Sequence, residues 1–473
     1  MTHTSYQEVM SRKIEIMKRA LGLDYAEFEL GGIAFDYEEM MRKAGYSLDA
    51  VKAIQAETNV GNTPLIELKN LTAAARALAP KGKGARIFLK DEACNPSGSF
   101  KDRRAAVSCY YAKQKGYEGV IAATSGNYGA AVASQANMRN LKCIILQELF
   151  DSRGVGQPEI LEKGRKCEAY GAEVLQMTVG PELFYNFLLV LEETGFFNAS
   201  LYTPFGIAGI ETLGSEIAEQ FMKREGKLPD AVVATNAGGG NLTGTARGLR
   251  KAGATRTRVI GASVDLAGLH MASDRDFNRK SFTTGHTGFG IPFSTWPDRA
   301  DVPRNAARPL RYMDRYVTIT QGEVFYMTEA LSVIEGLERG PAGNTSLTAA
   351  FAIAQEMDRD QTIVVQETEY TGAGKHVTAQ LTFARENGVE IRRGDPKDQI
   401  PGKSIIIPAH PSMIRARDLS LDDLRVSYLH NALKNRPASA PAELSAVETK
   451  YLSEELGVAP EALAPLLQRA RRP

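Results

Sequence analysis

Cysteine is scarce and scattered in this chain. Cys94, Cys109, Cys143 and Cys167 are the only four, and no two form a CxxC pair. That spacing supports neither a disulfide framework nor a zinc site, so the four read as reduced thiols and no metal is expected. Cys94 reads as a small buried apolar residue. No charge sign dominates: 57 Lys and Arg stand against 56 Asp and Glu, for a net charge of +1. Without a basic block, the electrostatic footprint of a nucleic-acid binder is missing. No apolar run reaches membrane-spanning length, which leaves no membrane partner expected. The opening residues lack the charged and apolar regions of a secretory leader. No internal repeat or low-complexity tract is found. The expectation is a soluble, cytoplasmic protein.

What is present is an ordinary globular composition, 43% hydrophobic and 24% charged, spread over 473 residues. That length predicts two or three packed lobes. From Gly61 onward, short β-branched or apolar runs alternate with helical stretches. Strands are predicted at Ile87–Lys90, Val120–Ala123, Lys142–Leu146, Glu173–Met177, Ala231–Thr235, Val259–Ser263 and Ile363–Glu367. Amphipathic segments such as Gly129–Met138 and Gly209–Arg224 lie between them. The alternation predicts an α/β fold, with two parallel-sheet lobes covered by helices.

Residues 1–60 read as a helical N-terminal extension. Ser5 and Glu8 make a capping-box pattern, and Met10, Ile14, Met17 and Leu21 repeat at helical spacing. Residues 61–400 read as the core, its smaller lobe at about 98–204. Residues 401–473 read as a C-terminal helical extension, with capped helices at Ser420–Leu433 and Ser445–Leu456. Both extensions are candidate docking surfaces.

Chemistry concentrates in loops that follow predicted strands, where ligands bind in parallel sheets. Asn95-Pro-Ser-Gly-Ser-Phe-Lys-Asp-Arg103 holds Lys101 behind small, turn-forming residues. An amine is a nucleophile only when neutral, and burial beside apolar or positive groups permits that near neutral pH. Thr124-Ser125-Gly126-Asn127-Tyr128-Gly129 gathers hydroxyls and amides at a helix start suited to a carboxylate. As a plain sequence it is also an ordinary helix cap.

Asn236-Ala-Gly238-Gly239-Gly240-Asn241-Leu-Thr-Gly244 follows the Ala231–Thr235 run. Consecutive glycines let backbone amides approach phosphate oxygens. The loop lacks both GxGxxG spacing and a terminal GK[ST], so a monophosphate suits it better than NAD or ATP. Gly372-Ala-Gly374-Lys375-His376 does not complete a nucleotide P-loop either. After Ile363–Glu367, a hydroxyl from Thr371, or alternatively Thr368, could face a ring nitrogen. His286 within Gly285–Gly290 reads as a surface loop.

These motifs, in this order and with Gly61-Asn-Thr-Pro-Leu65 ahead of them, resemble the fold type II pyridoxal-phosphate enzymes, the tryptophan synthase β-subunit group. Pro204-Phe-Gly-Ile207 with Glu211-Thr212 and Glu216-Ile217 resembles the threonine synthase-like branch. The resemblance implies pyridoxal 5'-phosphate as cofactor, attached at a catalytic Lys101 that also shuttles protons. It implies that Asn127 bonds the ring hydroxyl, Gly238, Gly239, Gly240 and Asn241 hold the phosphate, and Thr371 faces the pyridine nitrogen. Thr124, Ser125, Gly126 and Tyr128 would bind substrate.

Tyr128 departs from the His, Thr or small residue of many relatives. The segment Gly22–Glu57 and the tail after Pro401 are similar to the β-subunit family of 2-amino-4-ketopentanoate thiolases. That likeness implies an amino-keto acid substrate, coenzyme A, a small α subunit, homo-oligomerisation and a place in ornithine degradation. A threonine synthase-like replacement enzyme or a non-catalytic cofactor-binding subunit are the alternatives.

Overall fold

The computed structural model describes residues 5–471 except 125, 181, 268–275, 284–300, 371–374, 440 and 442. All seven predicted strands form. Four of them and three further strands build a sheet of seven, in the order Arg417–Asp418, Arg315–Ile319, Arg258–Val264, Ala231–Thr235, Thr362–Glu367, Arg86–Asp91, Leu65–Glu67. Its five inner strands run parallel, and only the two edge strands are antiparallel. The inner strands read as unbroken Val, Ile and Ala runs because helices cover both faces; Ile363, Val364 and Val365 are all fully buried. A second sheet carries Glu173–Thr178, Lys142–Phe150, Gly119–Thr124 and Phe197–Asn198, all parallel.

Helix Pro204–Glu225 lies against helix Gly240–Lys251 with their backbones in direct approach. A Cβ on Gly214 or Gly248 would run into a carbonyl of the facing helix, which only glycine avoids. This contact matters to function because the second helix begins at the glycine-rich loop.

Both extensions differ from a purely helical reading. In the first, helices Tyr6–Ser11 and Lys13–Leu21 are separate, and the Ser5–Glu8 capping box forms. Ile14 is 60% exposed; Val9, Ile16, Met17 and Leu21 make the buried face instead. The break at Arg12 shifts the helical phase, and Arg12 uses it to reach Glu192, at 3.0 and 2.7 Å. A hairpin follows, Glu29–Gly31 with Ala34–Phe35, turning through Gly31 and Gly32 at positive φ.

Pro401 is not a structural break. Ser404–Pro408 pairs in parallel with Glu390–Gly394, and Arg417–Asp418 edges the large sheet. Helices Leu421–Lys434 and Ala446–Leu456 then form as read, capped by Ser420 and Ser445, and Pro460–Ala470 adds a third. The two ends of the chain meet on the core. Arg308, fully enclosed, pairs with Glu455 at 2.9 Å, and Arg247 joins Glu38 to Glu211 at 2.7 Å each. Among the described residues no helix is long and apolar enough to cross a membrane.

Candidate active site

Lys101 opens the helix Lys101–Gln114, and its approach is pinned from two sides. The Asn95 side chain donates to the Glu92 carbonyl at 2.8 Å and accepts from the Gly61 amide at 3.0 Å. The Ser97 amide and hydroxyl both donate to Asp102, at 2.8 and 2.7 Å. Gly98 takes φ +80°, and the loop is then stitched to the chain leaving Thr362–Glu367. Phe100 donates to the Thr368 carbonyl at 3.0 Å, and Tyr370 donates to Gly98 at 2.8 Å. Lys101 therefore faces the carboxyl end of the large sheet.

Its ammonium lies 4.6 Å from the Phe100 ring centroid. Burial, then the charges of Arg104 and Lys163 against the opposing pull of Glu369, brings the amine down to about 7. Near neutral pH roughly half of it is a free base, and the rest can give a proton.

The neighbours of Lys101 divide the labour. Arg103 points away into a buried ion cluster, meeting Glu92 at 2.6 Å and Glu216 at 2.8 Å. Thr63 and Thr212, from two other recognisable stretches, join it. Much of the motif around Lys101 thus holds the loop, while Lys101 and Phe100 turn to the cavity.

The glycine loop leaves the strand Ala231–Thr235 beside that cavity. Gly239 caps helix Gly240–Lys251 at φ +80°, and the Thr243 hydroxyl donates back to its carbonyl at 2.7 Å. A Cβ on Gly238 would collide with the Tyr202 hydroxyl, and one on Gly240 would fall 2.7 Å from Arg104 Nη2. The carboxamide oxygen of buried Asn241 has no partner among the described residues. The amides at the helix start are donors of the kind an anion requires.

Across the cavity, the Thr124 hydroxyl accepts from the Gly126 amide at 3.0 Å, and helix Asn127–Met138 starts there. Tyr128 lines the wall, but its buried hydroxyl donates to the Ala199 carbonyl. That bond takes the hydroxyl away from the substrate contact expected of Tyr128 and leaves its ring as packing surface.

One cavity of about 190 Å³ brings together Lys101, Thr124, Gly126, Asn127, Tyr128, Gly238, Gly239, Gly240 and Asn241. Thr368 lines it as well; Ser125, Thr371 and the Gly285–Gly290 stretch with His286 lie outside the described residues. Sequence reasoning missed Arg104, Lys163, Tyr202, Glu148 and Glu369 in the wall. Of these Arg104 carried a signal, standing three residues after Lys101 and so about one helical turn on, and Glu369 stands beside the candidate Thr368. Cys94 is exposed, not buried, because its thiol sits at the end of a short turn, 3.3 Å from Asp91. Among the described residues no three His, Cys, Asp or Glu side chains converge on a metal position.

Residues 56–369 match the family described as pyridoxal-phosphate dependent enzyme. The chain belongs to this family. The enzyme is 66% identical over 451 residues to the 2-amino-4-ketopentanoate thiolase beta subunit of Acetoanaerobium sticklandii, covering 95% of each chain. It is also 66% identical over 452 residues to a protein of the same name from an unknown prokaryotic organism, covering 96% of this chain and 95% of that one. Threonine synthase of Halalkalibacterium halodurans is 30% identical over 40% of this chain and 49% of its own. Among solved structures, T.th. threonine deaminase aligns with a TM-score of 0.53 at 24% identity, covering 69% of this chain and 99% of that one. That last likeness speaks to the fold alone.

The cofactor is pyridoxal 5'-phosphate, and the residues present fit it. Gly238, Gly239 and Gly240 line the cavity with no side chains of their own, and an enclosed amine poised near neutrality stands in the same cavity. Bound there, the cofactor supplies an electron sink for charge developing on an amino acid's carbon atoms.

Proposed function

We propose that this enzyme is the β subunit of a 2-amino-4-ketopentanoate thiolase, which cleaves that amino-keto acid with coenzyme A to acetyl-CoA and alanine. The observation that carries the reading is the 66% identity sustained over 95% of both chains, which extends through the N- and C-terminal segments. The match to threonine synthases covers 40–44% of the chain.

The bond changes balance without an oxidant. The thiol sulfur of coenzyme A bonds to the 4-keto carbon, and the bond between that carbon and the β-carbon breaks. The electron pair stays on the β-carbon, which takes up a proton to become the methyl group of alanine.

In this reading Lys101 would hold the cofactor, and its amine, when free, would remove and return the α-proton. A pKa of about 7 lets it do both near neutral pH. Asn127 holds the cofactor ring, and the amides at Gly238–Asn241 hold its phosphate. The helix start at Thr124–Asn127 takes the substrate carboxylate. Coenzyme A brings its own sulfur, so none of the four cysteines is required. A smaller partner subunit completes the enzyme, and the β chains pair with one another.

The test is co-expression with candidate small partners, followed by assay of acetyl-CoA formation from 2-amino-4-ketopentanoate and coenzyme A. Formation of acetyl-CoA and alanine in equal amounts is expected. Phosphate release from O-phosphohomoserine, without acetyl-CoA formation in the first assay, would instead mark a threonine synthase-like enzyme.

A further inference from the structure

Among the described residues, Arg104 is a buried arginine without a carboxylate partner. Arg103, Arg247 and Arg308 are comparably buried, and each meets a carboxylate at 2.6 to 2.9 Å. Arg104, 2% exposed, has no carboxylate partner among the described residues. Its Nη1 donates to the Leu201 carbonyl at 2.9 Å, and its Nε has no partner among the described residues. Burying an unpaired charge is costly, so such a group is normally met by an anion when the protein is at work.

Its position says where that anion would lie. The guanidinium rests over Gly240, with Nη2 and Nη1 at 2.7 and 2.8 Å from the place a Cβ would occupy. That is the first residue of helix Gly240–Lys251, whose unpaired amides open into the same cavity. Glycine at 240 thus makes room for the arginine.

We propose that Arg104 is the charged half of the phosphate site, pairing its guanidinium with the cofactor's phosphate opposite the amides of the glycine loop. The proposal rests on the cofactor reading and adds a specificity residue to it. A phosphate ester at neutral pH carries close to two negative charges. Backbone amides offer it only dipoles, whereas a guanidinium offers a full charge and a planar fork of donors. The nonphosphorylated vitamer, pyridoxal, gains nothing from Arg104.

The test compares dissociation constants of pyridoxal 5'-phosphate and pyridoxal for the wild-type enzyme and Arg104→Met, followed by absorbance. The wild type should prefer the phosphorylated form. In Arg104→Met that preference should fall on the order of 10- to 100-fold, with pyridoxal affinity unchanged. In parallel, millimolar inorganic phosphate should raise the Tm of the cofactor-free wild type and not that of the variant. An unchanged preference, or equal weakening of both vitamers, would overturn the role given to Arg104. A wild type that binds both vitamers equally would overturn the cofactor site itself, a different failure. If Arg104→Met does not fold, Arg104→Lys decides: a preference below wild type supports the pairing, and one equal to wild type overturns it. Weaker coenzyme A binding with an unchanged vitamer preference would assign the guanidinium to coenzyme A's phosphates and overturn the proposal.

Discussion

Lys101→Ala should lower kcat by about 10³-fold or more while leaving a folded protein. A positioned general acid or base contributes typically about 10²- to 10⁴-fold, and this lysine is assigned both proton steps and the covalent hold on the cofactor. The backbone around it does not depend on its side chain. Its loop is held by Asn95, Ser97 and Asp102, and by the bonds to Thr368 and Gly98.

Removing the amine should even stabilise the cofactor-free protein at low pH. The folded pKa, about 7, lies below the ordinary 10.5. Below about pH 7 both states carry the proton, and the buried charge weighs against the fold. Between about 7 and 10.5 the unfolded chain binds a proton that the native state does not, so stability rises with pH. Above that range the penalty is gone. Thermal unfolding at pH 6 and pH 10 measures it: Lys101→Ala should exceed wild type in Tm at pH 6, with the gap closing at pH 10. A variant less stable than wild type at pH 6, or one retaining a tenth of kcat, would remove Lys101 from its assigned place.

Arg103→Ala is expected to be the most damaging change to the fold, costing about 3–5 kcal/mol. Arg103 and Glu92 are fully buried, 2.6 Å apart, and Lys90 lies 3.0 Å from Glu216 in the same cluster. Removing the guanidinium leaves Glu92 without its cation and Glu216 with Lys90 alone. It also frees a corner where three chain segments meet, since Glu216 accepts the Asn62 amide at 2.9 Å. Replacing the surface-exposed Lys142 or Glu118, paired at 3.2 Å, should change stability by under about 1 kcal/mol. Denaturant unfolding of both variants checks the contrast. A loss below about 1 kcal/mol for Arg103→Ala would mean the cluster is not the anchor described.

The parts of the fold legible in sequence were those buried on both faces. Parallel strands such as Thr362–Glu367 announce themselves as unbroken apolar runs. Arg315–Ile319 went unread although Tyr-Val-Thr-Ile fits a strand, because no chemical motif follows it. The edge strands Leu65–Glu67 and Arg417–Asp418 are too short to show a period, and pairing partners decide them. At the site, the loops were legible because three glycine- and hydroxyl-rich stretches follow predicted strands in one order, although each alone is also an ordinary cap or turn. The cavity's cations were not. Lys163 comes from helix Pro158–Ala169, where its sequence context is that of any surface lysine. Only the fold encloses it beside Glu159, Glu369 and Gly126. Tyr128 shows the converse, a residue inside a legible motif whose hydroxyl the packing claims for Ala199.

The presence of two lysines in one cavity makes a single labelling experiment decisive. The enzyme loaded with pyridoxal 5'-phosphate is reduced with borohydride across pH 6 to 9, digested, and its modified peptides identified. The phosphopyridoxyl group is expected on Lys101, with attachment to the cofactor-free protein quickening as pH rises through about 7. Label on Lys163, or spread over surface lysines with no rise until pH approaches about 10, would contradict it.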